Sequence, residues 1–259
     1  MRRVNKYRCR LPHCWPFPLE ALHATAYRIN GARIGVSSSN ELRFQKLIQG
    51  NRFFEVQHDS LIEQHDVDQS VLRALIDYFF CYVDHHSLTN DDIYEKHLAF
   101  LHEYSAHVKL FAESNAYPHE SGIVITKSRI DYDVPLLCST FLSYPRYCIF
   151  ETFVRRCNTG LTDGVLVIGV STGLELFLLQ EKASNILAFD TQIGNFARQQ
   201  FPNVAFSESP FSFNPHQQFK NIVMIELLEH LAEPIVLLVD AMKSLRVGGS
   251  IHFTTVNRG

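Results

Sequence analysis

The chain has 259 residues, 46% of them hydrophobic, and a formal net charge of −3. That is ample apolar material for one large domain or two small ones. Residues 1–120 hold 13 Lys and Arg against 15 Asp and Glu, and residues 121–259 hold 11 against 12, so a broad basic face for nucleic acid is excluded as an expectation. No apolar run approaches the roughly 18 residues of a membrane span.

The first ten residues, MRRVNKYRCR, carry five basic groups and no acid. They read as a solvated arm, with a targeting or phosphate-binding arm as the sharper alternative. LPHCWPFP follows them instead of an apolar core, which is not the pattern of a secretory signal. The six cysteines (Cys9, Cys14, Cys81, Cys138, Cys148 and Cys157) form no framework. Reduced, mostly buried thiols in a cytoplasmic protein are expected. Cys9, His13 and Cys14 lack the second pair that a zinc site needs.

Asn30-Gly31 between two β-compatible runs predicts a hairpin over residues 24–36, because both turn positions want positive φ. Asn40 stands where it would cap a short helix over Glu41–Leu47. Apolar positions from Val67 to Val83 recur at helical spacing, so residues 61–83 read as one helix with a strongly apolar face. Thr89 or Asn90 would cap another over Asp91–Glu113. His97, His102 and His107 recur every five residues, which spreads them around a helix, so exposed or partly packed histidines are expected rather than a metal site. Pro118, Gly122 and Pro135 punctuate the next stretch around a strand candidate, Ile123–Thr126, and the domain boundary is placed near residue 120. The first domain, residues 1–120, thus reads as a small α+β, mostly helical accessory module. Leu136–Cys157 reads as one or two helices interrupted at Pro145.

Residues 165–190, VLVIGVSTGLELFLLQEKASNILAFD, organise the rest. An apolar strand breaks into a glycine turn, an amphipathic helix follows, and a second strand ends on Asp190. The turn lets backbone approach a ligand, the helix start offers free N–H groups, and a terminal acid is placed to accept from two ribose hydroxyls. Position 174 is Leu, so G-x-G-x-x-G is not completed and a dinucleotide fits poorly. A helix over Ile193–Gln200, a third strand at Pro202–Phe206, a fourth at Asn221–Ile225, a helix opened by Pro234, a turn at Arg246–Gly249 and a fifth strand at Ser250–Thr255 complete a β-α alternation with a parallel sheet.

Four pieces in order, VLVIGVSTG, LAFD, IVMIELLEHLAEP and LRVGGSIHFTTVNR, resemble a class I S-adenosylmethionine-dependent methyltransferase over residues 136–259. EHL, the Glu233-Pro234 pair and TTVNR lean towards the ubiquinone-pathway O-methyltransferases. The resemblance implies an α/β doubly wound, Rossmann-like domain over residues 121–259. Gly169, Ser171 and Gly173 would line the methionine end of the S-adenosylmethionine cofactor, Asp190 would hold the ribose, and Glu208 is the nearest candidate for the adenine side. Glu226-x-x-Glu229-His230 resembles a divalent-metal motif of the ubiquinone-type and small-RNA 2′-O-methyltransferases. Glu226, Glu229 and His230 would hold Mg²⁺ or Zn²⁺ at the acceptor. Without metal, Glu226 lines the cofactor site and His230, beside Glu229, is the candidate general base.

Val167 stands where the family carries an acid, Ser171 replaces the middle glycine, and Lys220 stands where Asp is usual. The chain ends at Gly259, before the terminal hairpin that normally finishes this sheet. A fragment, or a second copy or partner chain over the edge of strand five, is therefore expected. The implied activity is methyl transfer to oxygen or nitrogen of a small molecule. The alternatives are a non-catalytic binding or scaffold protein and an RNA 2′-O-methyltransferase-like enzyme.

Overall fold

The computed structural model describes residues 38–114 and 128–255. The basic arm, Cys9, His13, Cys14, the hairpin over 24–36, the strand candidate Ile123–Thr126 and the boundary near 120 lie outside these residues.

Four helices come first: α1 (Ser38–Gln49), α2 (Arg52–Gln64), α3 (Gln69–His85) and α4 (Asn90–Ser114). The single helix read over 61–83 is two. Asp68 breaks it by accepting from the Ser70 and Val71 amides, at 2.9 and 3.4 Å, as the N-cap of α3. Asn40 lies inside α1 instead of capping it, and its amide donates to Asp77 of α3 at 2.9 Å. At the start of α4, Thr89 and Asp92 bond each other's backbone N–H reciprocally, at 3.3 and 2.8 Å. Among the described residues this part contributes helices only.

Helices α5 (Arg129–Leu142) and α6 (Tyr144–Thr159) follow. The expected interruption at Pro145 is met, with the proline in the first turn of α6 where its missing N–H costs little. Pro135 does not end a segment as expected: α5 starts seven residues earlier than Leu136, with Ser128 as its cap. An interior proline is costly; here it is offset by burial of Val134, Pro135, Leu137, Cys138 and Phe141 on one helix.

The remainder is the alternation β1 (Asp163–Ile168), α7 (Leu174–Leu179), β2 (Ser184–Asp190), α8 (Asn195–Gln200), β3 (Ala205–Glu208), β4 (Phe219–Met224), α9 (Pro234–Lys243) and β5 (Leu245–Phe253). All pairings are parallel, in the order β3-β2-β1-β4-β5. This is a doubly wound, Rossmann-like sheet. Strand β5 begins before the expected turn at Arg246–Gly249, which is instead a bulge within it: Phe219 faces Leu245, yet Asn221 faces Ser250.

Alternation along β1 sends its side chains to two cores. Val165 and Val167 join Leu47, Phe54, Leu75, Phe79 and Phe141 in a large core shared by the helices and one sheet face. Leu166 and Ile168 join Ile222, Met224 and Ala241 in a smaller one under α9. Val167, the first departure from the family pattern, is thus a core residue, and an unpaired acid there would be costly to bury.

Candidate functional site

In an open parallel sheet a ligand crevice forms where successive strands leave in opposite directions. Here that point lies between β1 and β4. The loop after β1 carries Gly169–Gly173, and the loop after β4 carries Glu226–His230.

The glycine turn needs its glycines. Gly169 and Gly173 have φ of +79° and +80°. At Gly173 an added Cβ would stand 2.8 Å from the Tyr78 hydroxyl, so any side chain also collides with α3. Ser171, at φ +42°, adopts the left-handed region without being glycine. Its N–H donates to Oδ2 of Asp190 at 3.0 Å, and the Gln192 N–H donates to Oδ1 at 3.0 Å. The turn and Asp190 therefore form one piece. Each carboxylate oxygen keeps a lone pair free, since an ionised carboxylate accepts at about four sites.

Two residues of the helical layer that lie outside the sequence motifs hold this piece, and two more brace the second of them. The Tyr78 hydroxyl donates to the Thr172 carbonyl at 2.7 Å. Arg129 donates to the Gln192 carbonyl at 2.8 Å, to the Ser171 carbonyl, and to Asp133 at 3.1 Å. Asp133 also accepts from the Tyr82 hydroxyl at 3.0 Å. Burial raises the Asp133 carboxyl above the usual range, while Arg129 works against that shift. The i,i+4 spacing of Arg129 and Asp133 was visible on paper. Its engagement with residue 171, more than forty positions away, was not.

Deeper in, Glu175 is buried and burial pushes its carboxyl up to about 7. Arg146 of α6 lies close enough to lower it partly, and Asp190 close enough to raise it. Oδ1 of Asp133, Oε2 of Glu175 and Nε of Arg146 are buried without a hydrogen-bond partner among the described residues. Buried polar atoms are ordinarily paired. Asp133 and Glu175 lie near enough to Asp190 to feel its charge and Arg146 lies near Glu175, so these open atoms are polar positions available to a ligand at the turn.

Glu208 lies at the end of β3, not beyond that strand, and faces Asp190 across the ladder. Its carboxylate accepts from the Ile193 N–H at 2.9 Å and from Arg198 at 2.9 Å. The Ile193 N–H in particular holds it below the usual carboxylate range.

The expected metal motif is not assembled. Glu226 is ion-paired to Arg146, so a cation already faces its carboxylate. Glu229 and His230 stand exposed on a 3-10 turn, Leu228–His230. Among the described residues no three carboxylate, imidazole or thiol groups are placed to hold a metal ion. The donor set does not fit Mg²⁺ or Zn²⁺, because one of its three members is committed to a guanidinium. His97 also departs from expectation: it is buried, hydrogen-bonded to the Pro135 backbone, and burial pushes it down to about 4. Cys138 and Cys157 are buried free thiols as expected, whereas Cys81 is exposed. No described helix is long and apolar enough to cross a membrane.

No family model matches the chain, and no curated protein matches it. Among solved structures it is similar to the N-methyltransferase NodS from Bradyrhizobium japonicum WM9 in complex with S-adenosylhomocysteine, at 20% identity over 40% of this chain and 58% of that one, with a TM-score of 0.35. It is similar to the 4+2 cyclase SpnF at 18% identity over 46% and 49%, TM-score 0.37. It is also similar to coclaurine N-methyltransferase bound to N-methylheliamine and S-adenosylhomocysteine, at 14% over 84% and 64%, TM-score 0.38. The chain thus spans 58% of the first of these proteins and 49% of the second. Parallel strand order, glycine turn and terminal acid give the chain a doubly wound, Rossmann-like fold.

Proposed function

We propose that this chain binds S-adenosylmethionine at the switch point between β1 and β4 and directs its methyl group to oxygen or nitrogen of a small molecule. The observation that carries the reading is the Asp190 carboxylate, fixed by the Ser171 and Gln192 amides with acceptor capacity to spare. Two ribose hydroxyls are the donors such a group suits. Glu208, its neighbour across the ladder, borders the adenine side. The open acceptors on Asp133 and Glu175 suit the cofactor's ammonium, and Nε of Arg146 suits its carboxylate.

When bound, the cofactor supplies an electrophilic methyl on sulfur. The chain's part is orientation: Gly169, Ser171 and Gly173 would keep backbone close to the cofactor, and Asp190 would hold its sugar at the turn, next to the loop after β4. In that loop His230 is the group we assign to take a proton from an incoming hydroxyl or ammonium, with Glu229 beside it in the same exposed turn. A small-molecule acceptor fits better than RNA: the metal group on which the RNA reading rested is not assembled, and the charge is balanced.

A second reading is a binding or scaffold protein that keeps the fold without turnover. One observation favours it: the Leu227 side chain occupies the space above Gly169, within 3.0 Å of where a Cβ would stand.

Calorimetric titration with S-adenosylhomocysteine separates the two. Micromolar binding in the intact chain, lost in Asp190→Ala, is expected. Absence of binding at millimolar ligand would leave the scaffold reading standing.

A further inference from the structure

The loop after β4 is tied down at three points, one of them through Arg146, whose Nε is the donor proposed above for the cofactor's carboxylate. Glu226 has φ of +48°, a left-handed backbone that an L residue with a long side chain rarely adopts. Its N–H donates to the Thr254 hydroxyl at 2.8 Å. Its carboxylate pairs with Arg146, whose guanidinium sits 5.6 Å from the centroid of the Phe150 ring on the same helix. The next residue, Leu227, projects over the glycine turn: its Cδ1, Cδ2 and Cγ lie 3.0, 3.1 and 3.3 Å from where a Cβ on Gly169 would stand. The one after, Leu228, is buried in the smaller core and anchors the far side. A strained residue that persists needs surroundings that hold it, and here the holding group is Arg146.

We infer that Arg146 and Glu226 form a latch that keeps Leu227 closed over the glycine turn, and that the loop must lift for a ligand to reach Gly169. This rests on the proposed cofactor site, whose access it would govern. On release, Glu226 can return to an ordinary negative φ and carry Leu227 away from Gly169. Arg146 is not orphaned by that motion. Glu175 faces it from α7, with Asp190 and Tyr78 as the other ionisable groups near that carboxyl, and it is the acid beside the guanidinium once Glu226 leaves, while Oδ1 of Asp133 stays open for a ligand's ammonium. The guanidinium thus has an acid to pair with in either position, as a two-state element requires. Glu226 and Arg146 are positioning residues in this scheme, and Leu227 is the steric block.

The latch can be read without any ligand. Hydrogen exchange of the Leu227–Leu231 amides in the full chain is compared between wild type, Glu226→Gln and Arg146→Met, with thermal melts checking that each variant folds. Leu227→Ala serves as a second variant that removes the block but keeps the ion pair. Faster exchange in Glu226→Gln is expected, on the order of tenfold, the scale of a partly buried ion pair. Unchanged protection in a folded Glu226→Gln protein would overturn the latch.

S-adenosylhomocysteine titration is then the second arm. Apparent affinity is reduced by the fraction of molecules that are open. Glu226→Gln and Leu227→Ala are therefore expected to bind more tightly than wild type, by about fivefold or more. Weaker binding in both would overturn the latch by making these residues ligand contacts. Faster exchange with no binding in any variant would support the latch and refute the cofactor reading instead.

Discussion

The two faces of the sheet are finished differently. On one, helices α3, α5 and α6 press large rings onto β1 and β2, and Tyr78, Tyr82, Phe79, Phe141 and Phe150 are essentially removed from water. On the other, α9 buries only Ala241 fully, while Ile235 and Val236 remain 68% and 55% exposed, and Val247 of the adjoining edge strand is 95% exposed. The glycine turn and Asp190 are held from the first face, through Tyr78 and Arg129. Rigidity of the glycine turn and Asp190 therefore comes from the helical layer, while the β5 side holds only the loop after β4, through Thr254 and Leu228. Unpaired edges and apolar patches of this kind are where other chains dock, and the expected second copy or partner over β5 remains a proposal for that side.

Truncating side chains on the helical face should have the largest effect. Phe79→Ala or Phe141→Ala should cost about 3–5 kcal/mol, the usual scale for deleting a buried ring. Urea denaturation midpoints check it; a loss below about 1 kcal/mol would mean that the helical layer is loosely packed. Next comes pH. Glu175 is raised to about 7 from 4.5, so between those values the folded state holds a proton that the unfolded state has lost. Its contribution is fully present below 4.5 and disappears as pH rises through about 7, a span worth about 3 kcal/mol at most. Glu175→Gln should abolish that fall, which appears as a flatter stability-against-pH curve. His97 acts in the opposite sense: lowered to about 4 from 6.5, it makes stability fall as pH drops through that window.

Much of this architecture was legible beforehand. The short continuous apolar runs marked the expected strands, and Val165–Ile168 followed by glycine and an amphipathic run located the switch point. Boundaries moved where a polar side chain decided them: Asp68 divided one apolar helix into two, and Ser128 started α5 ahead of Pro135. The site was legible only where it is local. Gly169, Ser171, Gly173 and Asp190 lie within one β-α-β unit, and their relation follows from chain geometry. Arg129, Tyr78 and Arg146 reach the same place from separate helices, and no spacing rule links residue 78 to residue 172. Glu226 illustrates the converse. Its motif resembled a metal ligand set, but an arginine eighty positions earlier claims its carboxylate.

Two smaller effects sharpen the contrast. Tyr78→Phe removes the bond to the Thr172 carbonyl and leaves the ring packing intact, so a loss of about 1–2 kcal/mol is expected, together with weaker S-adenosylhomocysteine binding. If stability drops and affinity does not, the helical layer does not set the turn's geometry. Smallest of all, Ile235→Ala on α9 should change stability by less than about 0.5 kcal/mol. A larger loss in dilute monomer would show that the second face is better covered than the described residues indicate.

The most direct measurement is amide chemical-shift mapping of the isotopically labelled chain during titration with S-adenosylhomocysteine. Saturable shifts are expected at Gly169–Gly173, at Asp190–Ile193 and in the Glu226–His230 loop, with α9 and the outer residues of β5 unmoved. Saturable shifts confined to α1–α3 or to α9, with the glycine turn silent, would contradict the proposed cofactor site.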